Sequence, residues 1–130
     1  TAVPGLVPVD PLHAARMREV MYYLASTMHV NHAHKMRGSR WADDERSWAD
    51  MKAKVPETMA ASCAYIERLI EGPFLFGDHV TWADAWLYTI STWLEADGVD
   101  VGLFPKLEAF RDAMGARASV KAVRDLGIMS

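Results

Sequence analysis

Thr81 and Asp84 stand at the entry to the most apolar run of the chain. A glycine- and proline-punctuated loop, Gly72-Pro73-Phe74-Leu75-Phe76-Gly77, leads up to them. Beyond them come Trp82, Ala83, Ala85, Trp86, Leu87, Tyr88, Ile90, Trp93 and Leu94. Thr-x-x-Asp is a shortened capping box. The threonine hydroxyl serves the first free amides of a helix, and the carboxylate three residues on reaches back to the threonine amide. A negative charge there also suits the positive end of the helix. A helix apolar on nearly every side has to be surrounded by other helices. The pair therefore reads as a structural cap, and Thr81–Leu94 as the buried axis of a helical domain.

The remaining punctuation divides the chain into about five helices, an all-α bundle around that central helix. The first runs from about Asp10-Pro11, a cap followed by a first-turn proline, to about Met36, with Met17, Val20, Met21, Leu24 and Met28 at helical spacing. Gly38 ends it, and residues 40–43 read as a loop. The second runs from about Asp44 to Glu71 on Trp48, Met51, Val55, Met59, Cys63, Ile66 and Ile70, with Pro56 expected to kink or divide it. The third is the axis, closed by Gly98. The fourth opens at Pro105 and turns Leu107, Phe110 and Met114 inward. The fifth is short, capped by Ser119, with Val120, Val123 and Leu126 inward and Gly127 at its end. No stretch alternates as a strand does. The first two helices, long and joined by a short connection, should pack antiparallel, with the axis against both.

Bulk properties narrow the function. The chain has 130 residues, 51% of them hydrophobic, and a net charge of −3. That is one domain with a real core. No basic stripe interleaved with aromatics points to nucleic acid, and no apolar run is long enough to cross a bilayer. The one cysteine, Cys63, excludes an internal disulfide and fits a reducing, cytoplasmic setting. On its apolar stripe it reads as a small core residue. The chain begins at Thr1, and the short apolar Pro/Gly stretch 1–9 reads as a cut end or a linker from something upstream.

Four motifs in order carry a resemblance. Gly72-Pro73-x-Leu75-x-Gly77-x-x-x-Thr81-x-Ala83-Asp84 resembles the entry to the central helix of the C-terminal domain of glutathione transferases. Met21-Tyr22-Tyr23-Leu24-Ala25-Ser26-Thr27-Met28-His29 resembles the Leu-Asn-Tyr-Ile-Ala-Ser-Glu-Leu-His stretch of the bacterial, beta-class-like members. Phe104-Pro105-Lys106-Leu107 resembles their Phe-Pro-x-Leu, and Arg117-Ala118-Ser119-Val120 their Arg-Pro-x-Val. Trp93 stands where those members carry the tryptophan of an Arg-Trp pair, with Thr92 in place of the arginine. Tyr22, Thr27 and Val30 replace Asn, Glu and Lys, polar positions that help hold glutathione in the bacterial type.

The resemblance covers about Pro11 to Ile128 and implies half of an enzyme. Residues 1–10 would be the linker from a missing thioredoxin-like N-terminal domain, and 11–130 the helical domain. The absent domain would bind most of the glutathione co-substrate and supply the catalytic Ser, Tyr or Cys. This half would wall the site for a small electrophile in a detoxifying conjugation. In relatives the first two helices form much of a two-fold dimer interface, so a homodimer is expected. The isolated domain should be inactive.

Among candidate site residues, His29 and His32 lie three apart and share a helical face. That spacing suits zinc, but no third and fourth ligand accompany them, so no metal is expected. The resemblance sets His29 in the cleft between domains, near the glutathione thiol, where an imidazole can exchange protons; His32 would join it at the substrate. Trp93 offers either a flat apolar wall for the electrophile or core packing. Tyr22 and Tyr23 cannot both point into the core, so one of them faces the cleft. The rival reading is a non-catalytic interaction module, as this domain type serves in translation factors and synthetase complexes.

Overall fold

In the computed structural model, residues 5–129 are described. The first rod comprises α1 (Pro11–Tyr23), a π turn (Leu24–Met28) and α2 (His29–Ala33), helical throughout. It is followed by α3 (Glu45–Leu69), α4 (Trp82–Ser91), α5 (Pro105–Gly115) and α6 (Ala118–Asp125). With the first three segments counted as one rod, the described residues form five helical rods and no strand. Of the expected linker at 1–10, residues 1–4 lie outside the described part. Leu6 ties the remainder to the bundle, its carbonyl accepting from the Trp82 amide at 3.1 Å.

The starts of the rods follow their sequences. Asp10 accepts from the His13 amide at 2.8 Å, and Pro11 opens the first turn. Asp44 caps α3 through the Arg46 amide at 2.8 Å. The fourth rod is capped from elsewhere in the chain. Glu67 on α3 accepts from the amides of Lys106 at 2.9 Å and Leu107 at 2.8 Å. A buried or crowded helix end needs such partners for its unpaired amides.

The first rod and α3 run antiparallel, as their cross-links show. Glu19 accepts from Tyr65, Tyr23 donates to Ser62, and Asn31 donates to the Thr58 carbonyl, one sequence rising as the other falls. The core is one cluster that includes Val20, Leu24, Met28, Met59, Cys63, Ile66, Leu87, Ile90, Leu94, Leu107 and Phe110. α4 lies between α1 and α5 and is the central helix of the bundle.

Several expectations need correction. α4 is not enclosed on all sides: Ala83, Leu87, Tyr88, Ile90 and Ser91 are buried, while Trp82, Ala85 and Thr89 form an exposed flank. α1 and α5 cover the other sides, and no described element lies over this one. α3 runs undivided through Pro56. The proline ring is backed by the turn after α4, where a Cβ on Gly98 would sit 3.1 Å from Pro56 Cγ. The first rod stops at Ala33 rather than Met36. Gly38 opens a 3₁₀ turn against Trp48 instead of capping the rod. Ser119 lies inside α6, whose N-cap is Arg117, and Leu126 is exposed; the short helix packs on α5 and reaches α4 through Arg124, which donates to the Tyr88 hydroxyl.

The π turn is the least expected feature. The His29 amide bonds to the Leu24 carbonyl, five residues back. Such a turn holds one more residue than an α turn. It therefore rotates the downstream α2 by roughly 100°, while Leu24 and Met28 both stay in the core.

This packing can be tested at two buried points. Gly98 has a φ of 82° and abuts Pro56, so Gly98→Ala should lower unfolding free energy by more than about 1 kcal/mol in urea titration. Burial pushes the Cys63 thiol up to about 12. At pH 8 it should resist thiol reagents in the native protein and react promptly once the chain is unfolded.

Candidate functional site

The π turn delivers α2 to the end of α4 with His29 and His32 beside Trp93. The His32 ring stacks on the indole, centroids 4.3 Å apart at 24°. The His29 ring is tilted against the same indole at 5.4 Å and lies 6.5 Å from His32. The three line a hollow of about 150 Å³ with Ala33, Met36 and Arg37. His29 is exposed, and His32 and Trp93 are half-buried. Trp93 packs on the core cluster and also presents a face to the two imidazoles.

Behind the hollow sits a group that sequence reasoning missed. Asp97 is buried and accepts from His32 Nδ1 at 2.7 Å through Oδ2 and from Lys35 Nζ at 3.3 Å through Oδ1. Lys35 also donates to the Ala96 carbonyl. Asp97 is carried by the turn that closes α4. Its amide bonds to the carbonyls of Trp93 and Leu94, and Gly98 then reverses the chain. In sequence, Asp97-Gly98 reads only as a helix-ending turn, and nothing near it announces a partner 65 residues away.

The two tyrosines separate cleanly. Tyr23 turns inward, donates to Ser62 Oγ at 3.0 Å and packs on the Tyr65 ring at 4.2 Å. Tyr22 is 73% exposed on the outer face of the first rod. Of the pair, Tyr22 alone keeps a hydroxyl for an outside partner. Among the described residues no three His, Cys, Asp or Glu side chains converge as metal ligands, and no helix is long and apolar enough to cross a membrane.

Thr81 and Asp84 form the capping box. Asp84 Oδ2 accepts from both the amide and the hydroxyl of Thr81 at 2.7 Å, and Oδ1 accepts from the Leu75 amide at 2.8 Å. Burial holds this carboxyl above the usual carboxylate range, outweighing the hydrogen bonds that favour its charge. Both its oxygens are engaged by backbone and cap, which makes Asp84 a structural group. It fixes the loop as well as the helix. In that loop Phe74 and Gly77 pair backbone to backbone, and a Cβ on Gly72 would come within 2.9 Å of Gly77 Cα.

Comparison with known proteins gives the fold its relatives. Residues 31–124 match the family model described as the glutathione S-transferase C-terminal domain. A glutathione transferase homologue from Sulfitobacter, solved with bound glutathione, is 54% identical with a TM-score of 0.94, covering 96% of this chain and 61% of its own. A glutathione transferase from Methylococcus capsulatus is 26% identical with a TM-score of 0.70, over 96% of this chain and 60% of its own. A sphingomonad glutathione S-transferase complexed with glutathione shares the fold at 23% identity and a TM-score of 0.75, over 97% and 60%. The chain thus spans about three fifths of each of these structures. No curated protein matches it.

The part given to Asp84 fixes what its loss does. Asp84→Ala strands the buried amides of Leu75 and Thr81, so unfolding free energy should fall by about 1–3 kcal/mol in urea titration.

Proposed function

Since this chain belongs to the glutathione S-transferase C-terminal-domain family, we propose that it is the helical lobe of a glutathione-conjugating enzyme. In that reading it supplies the wall against which an electrophilic substrate lies. Glutathione is the co-substrate, held mainly by a thioredoxin-like lobe joined upstream, and its thiolate attacks the electrophile's carbon. The observation that carries the reading is the aromatic hollow of His29, His32 and Trp93, on a chain 54% identical to a homologue solved with glutathione.

Other surfaces support the same arrangement. Val7, Val9, Leu12 and Trp82 are exposed apolar side chains, and Val7, Val9, Phe76 and His79 line an apolar groove of about 420 Å³. Exposed apolar area of this kind marks a surface that another body covers, and the upstream lobe is the body assigned to it. A second groove of about 310 Å³, where Arg16, Glu19 and Val20 of α1 face Arg68 and Leu69 of α3, is assigned to the two-fold contact of a homodimer. Its two arginines and two glutamates, Glu19 and Glu71, suit self-complementary pairing.

Site roles follow from position. Trp93 is the flat apolar wall for the electrophile, His29 the exposed imidazole at the reacting groups, and Tyr22 the exposed hydroxyl of the tyrosine pair. Tyr23 supports this surface from behind through Ser62. The rival reading, a binding module without turnover, shares the fold and lacks the chemistry.

The test is steady-state kinetics on the parent chain with glutathione and an aromatic halide. Trp93→Ala should raise the KM for the halide about tenfold and leave the KM for glutathione near its original value. His29→Ala should depress kcat instead. A parent chain that binds glutathione resin and never conjugates the halide belongs to the non-catalytic reading.

A further inference from the structure

We propose that the electrophile received by the hollow carries an anionic group, a carboxylate or its equivalent, and that Arg37 is the residue that selects it. The inference rests on the transferase reading above and adds a substrate class to it. Of the residues that line the hollow, Arg37 is a permanent cation and none is acidic. The carboxylate tied to this site, Asp97, is buried behind it and already bound by His32 and Lys35.

A cation just past the end of a helix suits the helix dipole whatever else it does. Lys35 and Arg37 both follow α2 and both have that benefit, but they differ in what they touch. Lys35 is committed to Asp97 and to the Ala96 carbonyl. Arg37 lines the hollow beside Trp93. Its main chain is held at both ends, the amide donating to Ala33 at 2.9 Å and the carbonyl accepting from Arg40 at 3.0 Å. Its guanidinium is exposed and enters no ion pair among the described residues. The positive charge extends further. A second hollow of about 300 Å³ shares Met36 with the first and is lined by His34, Lys35 and Lys52, again with no acidic residue. The chain as a whole carries −3, so this end is a positive region on an acidic protein. Such a field raises the local concentration of anions.

Size fixes what enters. About 150 Å³ is less than the roughly 300–1,000 Å³ that encloses a drug-sized ligand, so the hollow takes one end of a substrate. The apolar part lies against Trp93 and Met36. The anionic group meets the guanidinium fork, which matches a carboxylate with two parallel bonds. The chemistry is unaltered: sulfur bonds to the carbon bearing the halide, the halide leaves with the bonding pair, and the anionic group takes no part.

The test compares 4-chloro-3-nitrobenzoate with 4-chloro-3-nitrobenzamide in the parent chain, each kcat/KM divided by its uncatalysed rate. The wild type should prefer the acid about tenfold, the worth of one charge-assisted hydrogen bond. Arg37→Gln should abolish that preference, and Arg37→Lys should keep part of it. Arg40→Gln, a cation on the neighbouring 3₁₀ turn, should keep it whole. The wild-type preference should also shrink as ionic strength rises, a readout that needs no variant. No preference in the wild type, a preference indifferent to salt, or one that survives Arg37→Gln would overturn the proposal and leave the transferase reading intact. Equal loss in Arg40→Gln would do the same, by showing a general field in place of a contact. Glutathione has carboxylates of its own: a raised KM for glutathione in Arg37→Gln, with the acid preference unchanged, would move the contact to the co-substrate and end the proposal. Conjugation of neither halide would remove both it and the reading it rests on.

Discussion

A single carboxylate organises the middle of this molecule. Asp84 accepts from the amide and hydroxyl of Thr81 and from the Leu75 amide. It thereby joins the start of α4 to the loop that precedes it. Leu75 is wholly buried, so the loop contributes to the core it introduces. The entry direction of α4 sets which residues reach its far end, and that end carries Trp93, Asp97 and the turn at Gly98. Position at the hollow is thus inherited from a bond network at the opposite end of the helix.

The carboxylate is held against an opposing term. Removing a charge from water raises the free energy of the ionised form, and three good donors offset only part of that. Burial dominates, since the carboxyl sits above its usual range. The folded chain therefore binds this proton more tightly than the unfolded chain does. The contribution of Asp84 to stability falls as pH rises from the ordinary carboxylate range through its raised folded value. The same burial gives the loop-to-helix joint a single geometry.

Much of the fold was legible because local signals agreed with the tertiary outcome. Asp10-Pro11, Thr81-x-x-Asp84 and Pro105 each mark a helix start, and the inward positions of α5 fell on Leu107, Phe110 and Met114 as their spacing required. What escaped was non-local. Glu67 caps α5 from another helix, and Pro56 stays within an unbroken α3 backed by Gly98. The open flank at Trp82, Ala85 and Thr89 escaped as well, because an apolar pattern says that a face avoids water without saying what covers it. At the hollow, His29, His32 and Trp93 were singled out from the sequence and do come together. Asp97 was not, since a carboxylate before a glycine resembles any helix-ending turn.

A bulge of one residue at Leu24–Met28, in an otherwise α-helical rod, separates two alphabets of positions. One lies upstream, turning Met17, Val20 and Leu24 into the core; the other lies downstream with its own phase. Shortening that turn by a residue would leave a sound helix whose final segment pointed elsewhere, carrying both imidazoles off the indole. The placement of both imidazoles is therefore adjustable by the length of a single helical turn, like a key recut at its tip with the shank untouched.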